Sequence, residues 1–295
     1  MNLIVGATGL LGGEICRVLA AHGRTVRALV RDTSASGAVA GLTGLGAQVV
    51  HGDLKDRRSL DHACRGATTV FSTASSTQST RQEGDSIETV DRHGQLNLID
   101  AAEAAGVKHF VLVSFAAMPL DFPLQSAKRA VEDRLRHGRM TYTILQPSFF
   151  MEVWLSPALG FDLANATAQI YGDGHGKLSW ISVQDVAQFA VAAVDSRHAT
   201  DAFFQLGGPE ALSPLDVVRR AEQMVGKPFA IQHVPEAALR AQFAGAADPL
   251  QQSFAALMLM YTRGDAIDTT ATLRAVPVPR LKSVQDYLQA LTQAT

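Results

Sequence analysis

The chain reads Val5-Gly6-Ala7-Thr8-Gly9-Leu10-Leu11-Gly12-Gly13 at the end of its first thirteen residues. The apolar run at residues 3–5 is typical of a buried parallel strand, and the residues after Gly13 repeat apolar side chains at helical spacing. A glycine turn between a strand and a helix lets a phosphate approach the N–H groups at the positive end of the helix. The stretch therefore predicts a dinucleotide site, with an ordinary tight turn as the alternative.

The composition is that of a globular protein long enough for one large domain and a smaller companion. A net charge of −2 gives no reason to expect nucleic acid or a membrane as a partner. No apolar run reaches membrane-spanning length and the N-terminus lacks a signal-peptide pattern, so a cytoplasmic protein is expected. Cys16 and Cys64 fall on predicted helix faces without metal spacing, which favours buried thiols and no metal site.

Apolar runs predict six strands, with a helix after each of the first five and a polar loop at 72–88. The strands are expected near residues 3–5, 25–31, 48–53, 68–72, 109–114 and 141–145. This alternation is typical of a doubly wound parallel sheet, the α/β Rossmann fold. Residues 1–150 are assigned to a dinucleotide-binding domain that also receives 183–206. Residues 151–295 are expected to form a smaller, mostly helical substrate-binding region.

A series of motifs in about the first two thirds of the chain matches one family. They are Gly6-Ala7-Thr8-Gly9-Leu10-Leu11-Gly12, Val26-Arg27-Ala28-Leu29-Val30-Arg31-Asp32, Gly52-Asp53-Leu54, Asn97-Leu98-Ile99-Asp100-Ala101-Ala102, Gly106-Val107-Lys108, Ile144-Leu145-Gln146-Pro147-Ser148-Phe149-Phe150-Met151-Glu152 and Asp185-Val186-Ala187. The chain thereby resembles the NmrA-like branch of the atypical short-chain dehydrogenase/reductase superfamily. The resemblance implies a Rossmann fold and a nicotinamide cofactor. It leaves two activities open, since members include NAD(P)H-dependent reductases of quinones and other small molecules, and cofactor-binding redox-sensing regulators.

The end of the second strand discriminates between the two nicotinamide cofactors. A carboxylate there pairs with ribose hydroxyls, whereas an arginine binds a 2′-phosphate through two charge-assisted hydrogen bonds. Arg31 aligns with the family's discriminating position and Asp32 follows it; because neighbouring strand residues face opposite ways, only one faces the adenosine. Arg31 is favoured, and with it NADP(H) over NAD(H). The alternatives are a solvated Arg31 with Asp32 capping the turn, and a weaker candidate at Arg27.

The resemblance extends the cofactor site beyond the glycine loop. Asp53 and Leu54 would border the adenine, although Asp53 is also explained by turn chemistry after Gly52. Residues 72–74 would line the nicotinamide side. The predicted cofactor-binding residues are Gly6, Thr8, Gly9, Leu10, Leu11, Gly12, Arg31, Asp53, Leu54, Ser72, Thr73, Ala74 and Lys128.

Lys128 is the first candidate catalytic residue. The superfamily's usual proton donor is a tyrosine four residues before a lysine on one helix face, where the lysine lowers the pKa of the phenol. Lys128 holds the lysine position, but Leu124 holds the tyrosine position and donates no proton. Lys128 is left either to anchor the nicotinamide ribose or to act as the acid, as resemblance to isoflavone-reductase-like relatives implies. The alternative is an exposed lysine on an amphipathic helix.

Ser114 is the second candidate catalytic residue, because it closes the fifth strand at the edge where α/β proteins bind ligands. Capping of the following turn is the alternative. Large apolar residues also predict a wall for a planar substrate, although such residues more often belong to a core. The candidate pocket residues are Phe115, Phe149, Phe150, Met151 and Trp154.

Three functions are consistent with these residues. An NADPH-dependent reductase of a quinone-like or other conjugated small molecule is favoured, because a quinone yields a stabilised phenolate and needs a less effective acid than a ketone. A non-catalytic NADP(H) sensor that regulates a protein partner is the alternative, suggested by Leu124. A sugar-nucleotide epimerase or dehydratase ranks last, since those relatives use the missing tyrosine. Whether the chain forms a homo-oligomer is left open.

Overall fold

The computed structural model describes residues 1–77 and 81–293. The strands are β1 (Asn2–Val5), β2 (Val26–Val30), β3 (Gln48–His51), β4 (Thr69–Ser72), β5 (His109–Val113), β6 (Thr141–Pro147), β7 (Phe161–Asp162), β8 (Thr167–Tyr171), β9 (Ala202–Leu206) and β10 (Ala230–Val234). The α-helices are α1 (Leu10–Ala21), α2 (Ser36–Gly44), α3 (Arg57–Cys64), α4 (Gln95–Ala104), α5 (Pro123–Arg136), α6 (Met151–Trp154), α7 (Val183–Ala193), α8 (Pro214–Val225), α9 (Glu236–Gly245), α10 (Pro249–Arg263), α11 (Thr270–Ala275) and α12 (Val284–Gln293). A π-helical segment, Ile87–Gly94, leads directly into α4. Of the loop predicted at 72–88, residues 78–80 lie outside the described residues.

The main sheet, within the described ranges, has seven parallel strands in the order β3-β2-β1-β4-β5-β6-β9. Every residue of β1 and β4 is buried, because helices cover both faces of the sheet. The strand order reverses between β1 and β4, and doubly wound folds bind ligands beyond the strand ends at such a reversal. The predicted α/β Rossmann fold is confirmed.

Helices form one core on each face of the main sheet. On one face α1 packs against α7, with Ile15 and Phe189 fully buried between helices and sheet. On the other face α3, α4 and α5 bury Leu60, Leu98 and Val131. Each such side chain contributes about 1.5–3 kcal/mol through burial. These two cores hold the carboxyl ends of the strands in a fixed arrangement.

Both cysteines of the chain belong to these cores. Cys16 on α1 and Cys64 at the end of α3 have no exposed surface. Burial raises the pKa of each thiol to about 12. The prediction of buried thiols is confirmed, and both residues act as small apolar packing groups.

The C-terminal region contains a second sheet that the sequence pattern did not predict. Its order is β10-β8-β7, with β10 parallel and β7 antiparallel to β8. The expected mostly helical region is confirmed, and this small sheet adds to it. These strands escaped prediction because β7 has two residues and β10 is almost entirely exposed, so neither shows the apolar period of a buried strand. Within the described part of the chain, no helix has the length and apolarity needed to cross a membrane.

Asp265 connects the segment after α10 to the end of β6 through hydrogen bonds. Its carboxylate accepts a hydrogen bond from Ser148 Oγ at 2.5 Å, just beyond β6, and another from Ser179 N at 3.1 Å. Desolvation raises the pKa of Asp265 to about 6, although both hydrogen bonds favour the ionised form. Ionisation of Asp265 therefore destabilises the folded state.

The wild type is expected to lose stability relative to Asp265→Asn as the pH rises from about 4 to about 7. The pKa of Asp265 is about 6 in the folded protein against an ordinary 3.8, so the unfolded chain ionises first and the folded state is disfavoured above that pH. The loss should reach up to about 3 kcal/mol. Urea unfolding at several pH values measures it. Asp268→Asn, which removes an exposed carboxylate, is the control; parallel pH curves for wild type and Asp265→Asn would refute the expectation.

Candidate functional site

A cavity of about 280 Å³ opens where β1, β2 and β4 end. Its wall is formed by the glycine loop after β1, the last part of β2 and the following residue, the turn after β3 and the loop after β4. Of the predicted cofactor-binding residues, those that line it are Gly6, Thr8, Gly9, Leu10, Leu11, Arg31, Asp53, Leu54, Thr73 and Ala74. Residues scattered over the first 74 positions are thus brought together at the strand-order reversal.

Two glycines allow the close packing of this loop. Gly6 has a φ of +89°, and a Cβ on it would lie 2.6 Å from Thr73 Oγ1 and 2.8 Å from Ala74 N. Gly12 does not line the cavity; a Cβ on it would lie 2.1 Å from the carbonyl oxygen of Gly6. Gly6 therefore lets the loops after β1 and β4 meet, and Gly12 lets α1 pack against the glycine loop.

Helix α1 begins at the cavity wall. Its N-cap, Gly9, makes no side-chain capping hydrogen bond, and the first turn of α1 carries no acidic residue. The first N–H groups of a helix lack intrahelical partners, and the helix dipole makes this end positive. The glycine cradle and this helix start fit the pyrophosphate of a dinucleotide.

The chain after β2 places Arg31 at the cavity and turns Asp32 away. Arg31 lines the cavity, and its Nη1 lies 2.8 Å from Asp85 Oδ2. The side chain of Asp32 is 89% exposed and accepts from His51 at 2.7 Å outside the cavity. Arg27, the weaker candidate, donates to the carbonyl oxygens of Ala63 and Arg65 at the end of α3. Of these three residues, Arg31 alone lines the cavity.

The cavity wall also contains two charged residues that the sequence pattern did not indicate, Arg81 and Asp85. The side chain of Asp85 is 4% exposed, and its other oxygen, Oδ1, lies 2.5 Å from Lys55 Nζ. Burial raises the pKa of Asp85, but the hydrogen bonds from Lys55 and Gln82 N and the charge of Arg31 lower it more, so its pKa lies below the ordinary value. Asp85 is therefore an ionised carboxylate held by two cations.

The loop after β4 is held by the helix that follows it. Ser72 is buried and donates to Gln95 Oε1 at 2.7 Å, while Gln95 Nε2 donates to the Ala74 carbonyl oxygen at 2.9 Å. The Ser72 hydroxyl thus positions the loop and does not line the cavity, and its role in cofactor binding stays a prediction. Asp91, in the π-helical segment, accepts from Ser76 N at 2.9 Å and Ser76 Oγ at 2.5 Å through Oδ2. Such segments are frequent at functional sites.

Lys128 lies beneath this loop and, like Gly12 and Ser72, is not among the residues that line the cavity; its roles in cofactor binding and catalysis stay predictions. Its side chain is 7% exposed, and its Nζ lies 3.4 Å from the Val113 carbonyl oxygen and 3.8 Å from Asp91 Oδ1. Asp91 Oδ1 has no hydrogen-bond partner among residues 1–77 and 81–293. The alternative of a solvated lysine on an amphipathic helix is therefore wrong. The buried carboxylate of Asp91 therefore lies between Lys128, near Oδ1, and Ser76, which donates to Oδ2.

Leu124, at the position of the missing tyrosine, faces away from this arrangement. It is buried with Leu250 and Ala256 of α10, and its backbone N donates to Ser253 Oγ. Residue 124 therefore stabilises the contact between α5 and α10. No proton donor takes its place at this point of the helix.

Ser114 is buried at the end of β5, where its Oγ accepts from Arg129 Nη2 at 3.3 Å. Arg129 also donates to the Phe115 carbonyl oxygen, lies 5.5 Å from the centre of the Phe115 ring and pairs with Glu132 at 2.9 Å. Desolvation lowers the pKa of Arg129. The structure thus gives Ser114 a role in holding Arg129, and its catalytic role stays a prediction.

The candidate pocket residues separate into two groups. Phe149 and Met151 are buried in the C-terminal core, with the Phe149 ring 4.8 Å from that of Trp154. Phe150 packs against the core around α1 and α7. All three side chains pack in these cores, and their role in a substrate pocket stays a prediction. Phe115 and Trp154 are half-buried, and their role in binding a substrate stays a prediction.

The model of the NmrA-like family matches residues 2–288. The chain belongs to the NmrA-like family. Among the described residues of this NmrA-like protein, no group of three or more His, Cys, Asp or Glu side chains could hold a metal ion.

Relatives of this NmrA-like protein differ in what they do. An NAD(P)H azoreductase of Xenophilus azovorans is 32% identical over 231 residues, which cover 77% of this chain and 75% of the relative. A photosystem II assembly factor of Synechocystis sp. is 34% identical over 242 residues, 81% of this chain and 72% of the relative. A solved NADPH-dependent quinone oxidoreductase of Escherichia coli is 22% identical, with a TM-score of 0.78 over 99% of this chain and 100% of that chain. This last likeness shows the fold.

Proposed function

We propose that this NmrA-like protein is an NADP(H)-dependent oxidoreductase that reduces a quinone-like or other conjugated small molecule. The observation that carries the proposal is the cavity that joins the glycine loop, the start of α1, Arg31 and the loop after β4. The azoreductase relative and the quinone oxidoreductase of the same fold support a reductase.

NADP(H) is proposed over NAD(H) because Arg31 faces the cavity and Asp32 does not. A guanidinium group binds a phosphate, whereas a carboxylate in its place would repel one. The N–H groups at the start of α1 and the glycine loop would hold the pyrophosphate. Asp53 and Leu54 would border the adenine, and Thr73 and Ala74 the nicotinamide side.

Lys128 is proposed to act on the oxygen of the acceptor. When bound, NADPH supplies a hydride. The ammonium group of Lys128, held by Val113 and Asp91, then stabilises the negative charge that develops on this oxygen and donates a proton from Nζ. Asp91 offsets the cost of burying the ammonium group, and its bonds to Ser76 fix the loop beside it.

NADPH consumption by the purified protein against quinones, enones and azo dyes tests the proposal. Turnover of at least one acceptor class is expected, faster with NADPH than with NADH. Binding of NADPH is measured separately by titration, so that an inactive preparation is recognised. Tight NADPH binding without turnover across the panel would count against the reductase.

A second candidate function is a non-catalytic NADP(H) sensor that regulates a protein partner. It is favoured by Leu124, which leaves the site without the tyrosine of the superfamily, and by the assembly-factor relatives. A sensor must bind the reduced and the oxidised cofactor with different affinities. A ligand that binds two conformations of a protein equally well does not shift the equilibrium between them. Equal affinities, together with no cofactor-dependent partner on co-purification, would exclude it.

A further inference from the structure

We propose that Asp91 is a positioning residue for the proposed reaction, because its carboxylate holds the Lys128 ammonium group in place and ties it to the loop after β4. The inference rests on the proposed function, since Asp91 acts through Lys128. It gives a functional role to the charge of a residue in the π-helical segment.

One face of the π-helical segment and of the start of α4 is buried. Ile87, Asp91 and Gln95 follow each other at intervals of four residues, and their exposed fractions are 4%, 0% and 1%. Residues at this spacing lie on the same side of a helix. The segment therefore presents two polar side chains, Asp91 and Gln95, to the loop after β4.

These two side chains hold the loop in similar ways. Gln95 accepts from Ser72 Oγ at 2.7 Å and donates to the Ala74 carbonyl oxygen at 2.9 Å. Asp91 Oδ2 accepts from Ser76 N at 2.9 Å and from Ser76 Oγ at 2.5 Å. A neutral amide is sufficient at Gln95, and an asparagine oxygen could accept both hydrogen bonds from Ser76. Holding the loop therefore does not account for a carboxylate at residue 91, since a buried charge is costly unless it is paired.

The other oxygen of Asp91 explains why a charge is present. Oδ1 is buried, has no hydrogen-bond partner in the described part of the chain and lies 3.8 Å from Lys128 Nζ. A hydrogen bond between an ammonium group and a carboxylate usually spans about 2.7–2.9 Å. The carboxylate therefore attracts the ammonium group without accepting one of its protons. Asp91 holds Lys128 by charge and leaves it a proton to donate to the acceptor oxygen.

A double-mutant cycle on kcat tests this inference. Asp91→Asn keeps an oxygen for Ser76 and removes the charge beside Lys128. It is expected to lower kcat about 10–100-fold and to change the dissociation constant of NADPH less than about threefold. In the Lys128→Met background the same substitution should lower kcat less than about twofold, because a positioning residue acts only through the group that it positions. Glu88→Gln removes an exposed acid of the same segment and should change kcat less than about twofold.

Two results on kcat would overturn the inference. One is an equal loss of kcat in the wild-type and Lys128→Met backgrounds, which would mean that Asp91 acts on the fold and not through Lys128. The other is an Asp91→Asn protein that keeps wild-type kcat. Circular dichroism at the assay temperature establishes that each variant is folded.

NMR of protein with isotopically labelled lysine gives a second readout that needs no acceptor. The Hε signals that disappear in Lys128→Met belong to Lys128. In the wild type and Glu88→Gln the two Hε protons should give separate signals, because the group is held, and in Asp91→Asn they should merge into one. Separate signals in Asp91→Asn would overturn the inference. A wild type that reduces no acceptor, but whose Lys128 signals merge in Asp91→Asn, would refute the reductase while supporting the hold of Asp91 on Lys128.

Discussion

Lys128→Met is expected to lower kcat of the proposed NADPH-dependent reaction by about 10²–10⁴, the usual contribution of a positioned proton donor. NADPH affinity should fall by no more than about tenfold, the loss expected for one or two hydrogen bonds. Nζ is the group proposed to donate the proton. It contacts the Val113 carbonyl oxygen and Asp91 beneath the loop after β4. Steady-state rates and a separate cofactor titration measure the two effects.

The single variant leaves Asp91 buried without its cation, which costs about 3–5 kcal/mol in comparable pairs. Lys128→Met combined with Asp91→Asn removes both charges and should recover much of that stability without recovering kcat. Lys108→Met is the matched control, because Lys108 is exposed and precedes β5 at the opposite edge of the sheet. A folded double variant that retains wild-type kcat would remove Lys128 from the chemistry.

Gly12→Ala is expected to weaken NADPH binding at least about 100-fold. A Cβ at this position would lie 2.1 Å from the Gly6 carbonyl oxygen, so the glycine loop must move away from α1. The loop and the start of α1 would then lose hydrogen bonds to the pyrophosphate, each worth about 1.5–3 kcal/mol when the acceptor is charged. Calorimetric titration with NADPH measures the affinity.

Gly13→Ala is the control for that substitution. A Cβ on Gly13 would lie 3.4 Å from the Ala7 carbonyl oxygen, at the near edge of ordinary contact. Alanine is also the better helix former, by about 1 kcal/mol, so Gly13→Ala should keep NADPH binding and hold or raise the thermal stability. Equal affinities for a folded Gly12→Ala and Gly13→Ala would show that the close contact at Gly12 is not required.

The glycine loop and the parallel sheet could be predicted because their determinants are local. The apolar run of β1, the glycines and the helical spacing of α1 lie within about twenty residues, and each is read from neighbouring positions. Arg31 could be placed on the cavity side of β2 from the alternation of strand side chains, combined with the family resemblance.

Long-range contacts account for what the sequence did not predict. Asp85 is 54 residues from Arg31, and no periodicity links a loop carboxylate to the end of a distant strand. The π-helical segment has no sequence signature; it begins at Ile87, two residues before the predicted helix start. Phe149 and Met151 pack in the C-terminal core, which the sequence does not reveal because apolar residues in a core and in a cavity wall look alike in sequence. Only the packing of α10 and the second sheet decides between them.

The burial of both cysteine thiols has a consequence if the protein reduces conjugated acceptors, as proposed. Such compounds are electrophiles that alkylate thiolates, since the thiolate is the nucleophilic form of cysteine. Burial raises the pKa of Cys16 and Cys64 to about 12, so both thiols stay protonated near neutral pH, and neither side chain is exposed. The chain has no other cysteine. The folded protein therefore exposes no cysteine nucleophile, and an electrophilic acceptor of the kind proposed would not arylate it at a cysteine.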